Sequence, residues 1–178
     1  MNDKIAASIL ARLLAKGLLV GIWVPPVEVR ELRALIAQRT KMTRLATQAK
    51  NRLHSVLQRH HLTLLDGDPF IADRRSWWLD LPISELEMIN LQCDLDTLNF
   101  AQKQIELLGS ALKSLAAKDP RVTRLVHLPG IGIITAMTIL AAIGTIERFE
   151  DAKHLVACAR VGSQSARQRD DHPHRKNH

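Results

Sequence analysis

Apolar and polar residues alternate along most of this chain with the period of an α-helix. Residues 2–16 form the first such segment, and Gly17 is suited to end a helix there. Its apolar face carries Ile5, Ile9 and Leu13. The short apolar run 18–24 precedes two prolines and is typical of a lone strand or an extended connector. The N-terminal part is therefore predicted to be one amphipathic helix and a connecting segment.

Two longer segments show the same helical period. The first runs from Val27 to about His60, and the second begins at Ser84, where Glu87 completes a capping box. Their seams are rows of mostly apolar residues spaced three and four apart: Leu32, Leu35, Arg39, Met42, Ala46, Ala49, Leu53, Val56 and His60 in the first, and Met88, Leu91, Leu95, Leu98, Gln102, Ile105, Gly109, Leu112 and Ala116 in the second. Each helix would be roughly 50 Å long, more than a small compact domain can bury. We predict that they pair as an antiparallel coiled-coil hairpin with a loop over 62–82.

A third section begins at Asp119. The pattern predicts a short helix to His127, a glycine turn, a helix to about Ile143 and a further helix over 151–159. The remaining residues, 160–178, include almost no large apolar residue and are expected to form a disordered basic tail. The predicted fold class is all-α: a long antiparallel coiled-coil hairpin followed by a small helical domain with a helix-hairpin-helix-like motif.

The turn between the two helices of this third section is the strongest candidate for chemistry. Two glycines, Gly130 and Gly132, flank Ile131 after a proline and stand directly before an apolar helix. Backbone amides at such a helix start, with the positive end of the helix dipole behind them, can hold a phosphate group. The alternative is an αα-hairpin in which the glycines only permit close helix packing. Both interpretations fit the sequence equally well.

The charge of the chain points to a polyanionic partner. The net charge is +7, the pI is about 9.9, and aromatic residues make up only 3% with no tyrosine, which argues against a base-stacking sheet or barrel. The basic residues that flank the first long seam are Arg30, Arg33, Lys41, Arg44 and Arg52. Such a row on a rigid helix can follow a nucleic-acid backbone. Equally, it can be a solvated face balanced by the acidic second helix.

Other site classes have little support in the sequence. Cys93 and Cys158 lie far apart without a partner motif, so they give neither a disulfide framework nor a zinc site. The acidic pairs 66/68 and 94/96 are expected to be solvated. The apolar N-terminal stretch is interrupted by Arg12 and Lys16, so it is neither a secretion signal nor a membrane span. A cytoplasmic location without a membrane partner is expected.

Three stretches carry a family resemblance: residues 2–17, residues 23–60 and residues 127–159. They resemble, in this order, the end of the RNase-H-like catalytic domain, the basic coiled coil and the C-terminal domain of the insertion-sequence-110 (116/902) family of DEDD transposases. The resemblance implies recombination of DNA by an oligomer guided by an RNA, with a metal-dependent carboxylate site and a serine nucleophile. Mg²⁺ is expected for the intact family.

Position by position, the resemblance leaves little of that catalytic machinery. Asp3 matches the first carboxylate of the family's Asp-x-x-Asp-Ala motif, but Ala6 stands at the second. The family's two earlier acidic residues precede the position that matches Met1. At Arg160 the sequence departs from the family, and neither Ser163 nor Ser165 lies in the context of the nucleophile. We expect Asp3 to be a catalytic remnant, no metal site in this chain, and a tail that resembles translation in a shifted frame.

These observations predict a truncated transposase that binds DNA, and through the resemblance a guide RNA, without cutting strands. The predicted domains are a catalytic-domain remnant (1–26), a coiled-coil arm (27–118), a partial C-terminal transposase domain (119–159) and the tail (160–178). The alternative function is an oligomerisation fragment that assembles with intact transposase and modulates it. We expect a homo-oligomer or such a mixed assembly. A metal-dependent nuclease that acts alone is disfavoured by the missing carboxylates.

Overall fold

The fold, given by a computed structural model, is described over residues 3–18, 23–63 and 67–156, and no strand is found among these residues. The predicted all-α class is therefore confirmed. The helices are α1 (Asp3–Ala15), α2 (Val27–Arg59), α3 (Arg75–Leu79), α4 (Glu85–Ala116), α5 (Pro120–Val126) and α6 (Ile133–Ile143), with single 3-10 turns at Ala72–Arg74 and Ile146–Arg148. None of the helices in the described ranges is both long and apolar enough to cross a membrane.

The two long helices α2 and α4 form one hairpin and make most of the contacts between elements. Arg59 pairs with Glu87 near the loop, Arg52 pairs with Asp94 further along, and Arg39 lies beside Gly109. The residue numbers of the partners rise along α4 as they fall along α2, so α2 and α4 run antiparallel. The hairpin predicted from the two seams is thus present.

Most seam residues are buried, as the periodicity predicts. The buried residues are Met42, Ala46, Ala49, Leu53, Val56 and Leu57 in α2, and Leu91, Leu95, Leu98, Ala101, Gly109, Leu112 and Ala116 in α4. The one charged seam residue, Arg39, lies opposite Gly109, where a built Cβ would stand 3.9 Å from the guanidinium Nε. The glycine leaves room for the long side chain, which explains how a charge is accommodated in the seam. The Nε atom is nevertheless buried without a hydrogen-bond partner among the described residues.

The loop end of the hairpin is closed by a small aromatic cluster. Trp78 is 1% exposed, and its indole N–H donates a 2.8 Å hydrogen bond to the Pro69 carbonyl. Phe70 stacks on Trp78, and Trp77 packs edge-on against it. The sequence predicted only a loop with one helical turn of packing residues here. Burial of the indole with its polar atom satisfied makes this loop part of the main core.

At the opposite end, α5 and α6 pack against the hairpin and share a second core with it. This core contains Leu112, Ala116, Val122, Ala136 and Met137, with Leu32, Leu35, Ile36, Leu125, Ile131, Ile134 and Leu140 partly buried around it. Asp119 caps α5 by accepting a 2.9 Å hydrogen bond from the Arg121 amide. We call this end of the hairpin the base. Because α6 contacts both long helices, the base holds the glycine turn in a fixed place.

The first helix is less integrated than the others. Gly17, with φ of +65°, ends α1 as predicted, and the Leu18 amide donates to the Leu13 carbonyl. No residue of α1 is buried, and Ile5 and Leu14 are 57% and 67% exposed. Of the connector predicted over 18–24, residues 19–22 lie outside the described residues, and residues 23–26 adopt no regular structure. Residues 152–156 of the last predicted helix are helical, and residues 157–178 lie outside the described residues.

Candidate nucleic-acid interface

The turn before α6 is built from a proline and a glycine in the positions that a tight turn requires. The Ile131 amide donates a 3.2 Å hydrogen bond to the Leu128 carbonyl and closes a β-turn around Pro129 and Gly130. Gly130 has φ of +82°, which fits the third position of a type II turn and disfavours any other residue. A glycine is therefore required at this position by the backbone of the chain itself.

Gly132 is different, because nothing inside the described chain requires it to be a glycine. Its φ of −85° is accessible to any residue, and a built Cβ would have no heavy atom within 4 Å. Close helix packing, the alternative drawn from the sequence, therefore does not account for this glycine. It is the first residue before α6, and no side chain caps the amides of the first turn among the described residues. A bare backbone at an exposed helix start is accessible to another molecule.

The surroundings of this turn are exposed and carry positive or neutral charge. Arg124, His127 and Leu128 are exposed, and the His127 Nδ1–H donates a 2.6 Å hydrogen bond to the Thr123 carbonyl. The nearby Arg121 guanidinium is instead held by Asp119 at 2.8 Å. Hydrogen bonds from Arg121 lower the pKa of Asp119, which keeps this carboxylate charged and the pair neutral. Arg124 and His127 are thus exposed basic side chains beside the turn.

The outer face of α2, opposite its seam, carries the other predicted contacts. Arg30, Lys41 and Arg44 are exposed on this face. The side chains of Arg30 and Lys41 take part in no hydrogen bond or ion pair with the described residues. The acidic residues of α2, Glu28 and Glu31, fall on the seam side of the helix wheel. We call Arg30, Lys41 and Arg44 the basic face of α2.

At least three of the five predicted basic residues, Arg33, Arg44 and Arg52, have interaction partners within the chain. The Arg33 Nε donates a 2.7 Å hydrogen bond to the Ala141 carbonyl, and its Nη2 donates to Ala142 at 3.1 Å. Arg33 therefore caps the C-terminal end of α6, where a cation also meets the negative end of the helix dipole. Arg52 pairs with Asp94 at 2.6 Å. Arg33 and Arg52 thus bind partners inside the chain, whereas the basic face extends from the first turns of α2 to its middle.

Acidic residues of α4 neutralise the loop end of α2. Glu87 accepts hydrogen bonds from Arg59 at 2.6 Å and from His60 Nε2 at 2.5 Å. These bonds, first from Arg59 and then from His60, hold the pKa of Glu87 below its usual value. The Glu87 amide also donates to Ser84 Oγ at 3.3 Å, as the predicted capping box requires. Near the loop, the positive charge of α2 is thus compensated by acidic residues of α4.

A cluster that sequence reasoning missed joins residues far apart in the chain. The Trp23 ring lies over Gly144, where a built Cβ would come within 2.9 Å of indole Cζ2. The Arg148 guanidinium lies 4.2 Å from the centre of the Trp23 ring, and the Arg33 guanidinium lies 5.6 Å from it. Gly144 also has φ of +70°, so both its backbone and its neighbour require glycine. The position of Gly144 after an apolar run was the only sequence signal of this junction.

The described residues do not fit the metal site that the resemblance implies. Asp3 is exposed in the first turn of α1, and Ala6, one turn later, offers no ligand. No group of three or more His, Cys, Asp or Glu side chains that could hold a metal ion occurs among the described residues. The serines 163 and 165 lie outside these residues. We derive no step through a metal ion in this chain.

Comparison with known proteins gives the same family at both ends of the chain. Residues 122–176 match the model of the Transposase IS116/IS110/IS902 family, and residues 2–62 match the IS110 DEDD model described as a transposase. The first match extends past Arg160, where the sequence analysis placed the end of the resemblance.

The chain is 24% identical over 165 residues to the "Transposase for insertion sequence element IS1111A" of Coxiella burnetii (strain RSA 493 / Nine Mile phase I). That alignment covers 88% of the chain and 44% of the relative, so the chain spans less than half the relative's length. No solved structure matches the chain significantly.

Proposed function

Because the chain belongs to the IS116/IS110/IS902 family of insertion-sequence transposases, we propose that it is a DNA-binding part of such a transposase and acts in DNA transposition. The observation that carries this proposal is the basic face of α2. Its three cations lie between the first turns of α2 and its middle, and among the described residues α4 places no acidic partner against Arg30 or Lys41. A polyanion is the partner that such a row of exposed cations attracts most strongly.

The geometry of the basic face suits a phosphate backbone. Arg30 and Lys41 are eleven residues apart on one straight helix, which separates their Cα atoms by roughly 17 Å. Arg44 follows one turn after Lys41 on the same side. A duplex carries phosphates at shorter intervals than this, so each cation can reach a phosphate without bending the helix. Contacts of this kind position a protein on DNA and carry no base specificity.

The glycine turn supplies a second contact in this proposal. Gly132 leaves the amides at the start of α6 uncovered, and the 11-residue helix behind them directs its positive dipole end outward. Hydrogen bonds from these amides to a phosphate are charge-assisted, because the acceptor is an anion. Side chains at Gly132 would stand between the amides and the phosphate. This explains why a glycine occupies a position whose backbone accepts any residue.

The partners follow from the same two contacts. DNA is the proposed primary partner, and a guide RNA is a second one, since phosphates are common to both. By its resemblance to the family, the intact transposase would use Mg²⁺ for strand transfer. We propose that this chain alone binds without cutting, because Ala6 replaces the second carboxylate of the matching motif. Incubation of the chain with Mg²⁺ and DNA carrying the ends of a family element tests this, and strand cleavage would disprove it.

The decisive experiment substitutes Gly132 by valine and measures binding to a labelled random-sequence duplex by fluorescence anisotropy. We expect roughly a tenfold loss of affinity at low salt, because the side chain covers the amides, while the far-UV circular dichroism is unchanged. Ser110→Val is the control, since it introduces the same side chain at an exposed helical position away from the turn. Gly130→Val is expected to lower helicity as well, because its φ of +82° disfavours valine.

Two outcomes would contradict the proposal. If Gly132→Val loses helicity before it loses binding, the turn is a packing element and not a phosphate contact. If the wild-type chain binds neither the duplex nor a structured RNA at low salt, the nucleic-acid function is wrong altogether. Co-elution of such a non-binding chain with an intact family transposase would then support the alternative, an assembly fragment.

A further inference from the structure

The helix α4 carries a second apolar row on the side that α2 does not cover. It consists of Leu86, Ile89, Cys93, Thr97, Phe100, Gln104, Leu107, Ala111 and Leu115, and none of these nine residues is charged. We call this row the outer stripe of α4. On a helix wheel it lies roughly 150° from the seam. Leu86 is 78% exposed, Leu107 is 63% exposed and Phe100 is 54% exposed.

The outer stripe is too long and too regular to be a scatter of surface residues. It extends over 30 residues of α4, or about 44 Å along the helix axis. Its members recur about every 3.6 residues, the period of a straight helix, so that the row does not wind around α4. Single exposed leucines are ordinary on a protein surface, but a continuous uncharged row of this length marks an interface.

We propose that the outer stripe binds the same stripe of a second copy of this chain, with the two α4 helices antiparallel and Phe100 at the two-fold axis. A two-fold pairing makes one surface complementary to itself, so residues at equal distances on either side of Phe100 meet. This places Cys93 against Leu107 of the second copy at the same distance from the centre, and Leu86 against Leu115 of the second copy within one residue of the same level. The proposal does not rest on nucleic-acid binding, because the basic face lies on α2.

The sizes of the paired side chains fit this arrangement. Ile89 meets the small Ala111 of the second copy, and Cys93 meets the larger leucine at 107, so large residues face small ones on both sides of the centre. The two polar members of the stripe, Thr97 and Gln104, meet each other next to Phe100. A hydroxyl and an amide at one level can form a hydrogen bond, which fixes the register of a helix pair. A shift by one turn would place both against apolar residues.

Charge at the edge of the stripe selects the antiparallel direction. Asp96 and Lys103 lie along the same edge, four residues before and three residues after Phe100. In the antiparallel pair, Asp96 of one copy faces Lys103 of the other twice, whereas in a parallel pair this edge of the two copies would lie on opposite sides of the interface and these contacts would be lost. Asp96 already bonds to Arg75 at 2.7 Å, yet its side chain remains 68% exposed and can accept a second cation. Charge and side-chain size therefore favour the same partner and direction.

The size of the contact sets the expected affinity. A stripe of about 44 Å by 10 Å on each copy buries roughly 900 Å² in total, below the standard size of a stable interface. We expect a dimer with a micromolar dissociation constant. Phe100→Asp should raise this constant at least tenfold, as measured by sedimentation equilibrium without nucleic acid. Asn99→Asp, exposed on α4 but outside the stripe, is the matched control and should leave the constant unchanged.

Cysteine cross-linking tests the direction of pairing. In a Cys158→Ser background, Cys93 is the one remaining cysteine. Antiparallel pairing separates Cys93 from Cys93 of the second copy by roughly 21 Å along the axis, so oxidation should give no covalent dimer. Adding Leu107→Cys should produce a disulfide-linked dimer on a non-reducing gel, since positions 93 and 107 then meet. Replacing Cys93 by serine in that variant should abolish the dimer.

Each other outcome overturns the proposal. A covalent dimer through Cys93 alone indicates a parallel pair. A chain that remains monomeric at about 100 µM, or an equal effect of Asn99→Asp and Phe100→Asp, shows that the outer stripe does not bind a second copy. The reversal Arg30→Glu/Lys41→Glu should leave dimerisation intact, so that failure of the nucleic-acid proposal is distinguished from failure of this one.

Discussion

The two helices of the hairpin have apolar inner faces, but their outer faces differ in polarity: that of α2 is charged and that of α4 is apolar. Both contribute a seam of buried side chains to one core. On α2, described over its full length, Val27 is the only exposed large apolar residue, and the outer face is basic. On α4, five large apolar residues are exposed and the outer stripe has no charge: Leu86, Ile89, Phe100, Leu107 and Leu115.

This difference separates the roles of the two helices. Inner faces are determined by each other, because each seam must bury its apolar side chains against its partner. Outer faces are free of that requirement, so their composition reflects what lies outside the hairpin. A charged face suits a polyanion, and an uncharged apolar face suits another apolar face. This difference agrees with the two proposals above, nucleic acid for α2 and a second copy for α4.

The largest expected effect compares two leucines of α4, one on each face. Leu91→Ala should lower the free energy of unfolding by about 2–5 kcal/mol, because Leu91 is fully buried in the seam. Leu107→Ala should change it by less than about 0.5 kcal/mol in dilute solution, where the outer stripe is uncovered. Urea denaturation followed by circular dichroism measures both. Equal losses in dilute solution would mean that the two faces of α4 are buried alike.

The second prediction tests the basic face of α2. Arg30→Glu/Lys41→Glu should weaken binding to a duplex about tenfold or more and reduce the slope of log K against log salt by about 2. Arg12→Glu/Lys16→Glu, in the last turn of α1 and just after it, causes the same change in net charge and is the control. A titration from about 50 to 200 mM salt separates the two variants. Identical losses would attribute binding to net charge rather than to the basic face.

The smallest expected effect concerns the inner faces, where Arg39 of α2 meets Gly109 of α4. Gly109→Ala should raise the free energy of unfolding by about 1 kcal/mol, since alanine favours a helix interior and its Cβ would stand 3.9 Å from the Arg39 Nε. Gly109→Leu should instead destabilise by about 1–3 kcal/mol, because the larger side chain displaces the guanidinium. Thermal unfolding of both variants measures the difference. Destabilisation by alanine would show that the seam already lacks space at this glycine.

Much of the fold was accessible from local patterns. The two seams, the helix end at Gly17 and the cap at Ser84 follow from short-range rules of helix formation, and the structure confirms them. Of the candidate site, the position of the glycine turn before α6 was also predicted. Its binding role and the role of the basic face stay predictions. The junction of Trp23 with Gly144 was not predicted, since its members are distant in sequence.

The sequence by itself determined that this chain forms two long pairing helices and a basic surface, because periodicity and charge are properties of the chain alone. Only the tertiary structure decided which partners Arg33 and Arg52 bind within the chain. Because α6 packs beside α2, Arg33 donates hydrogen bonds to the carbonyls of Ala141 and Ala142. Because of the register between α2 and α4, Arg52 forms an ion pair with Asp94. Tertiary packing also decided which of the two apolar sides of α4 is covered. Such choices depend on contacts between distant residues, and no local pattern records them.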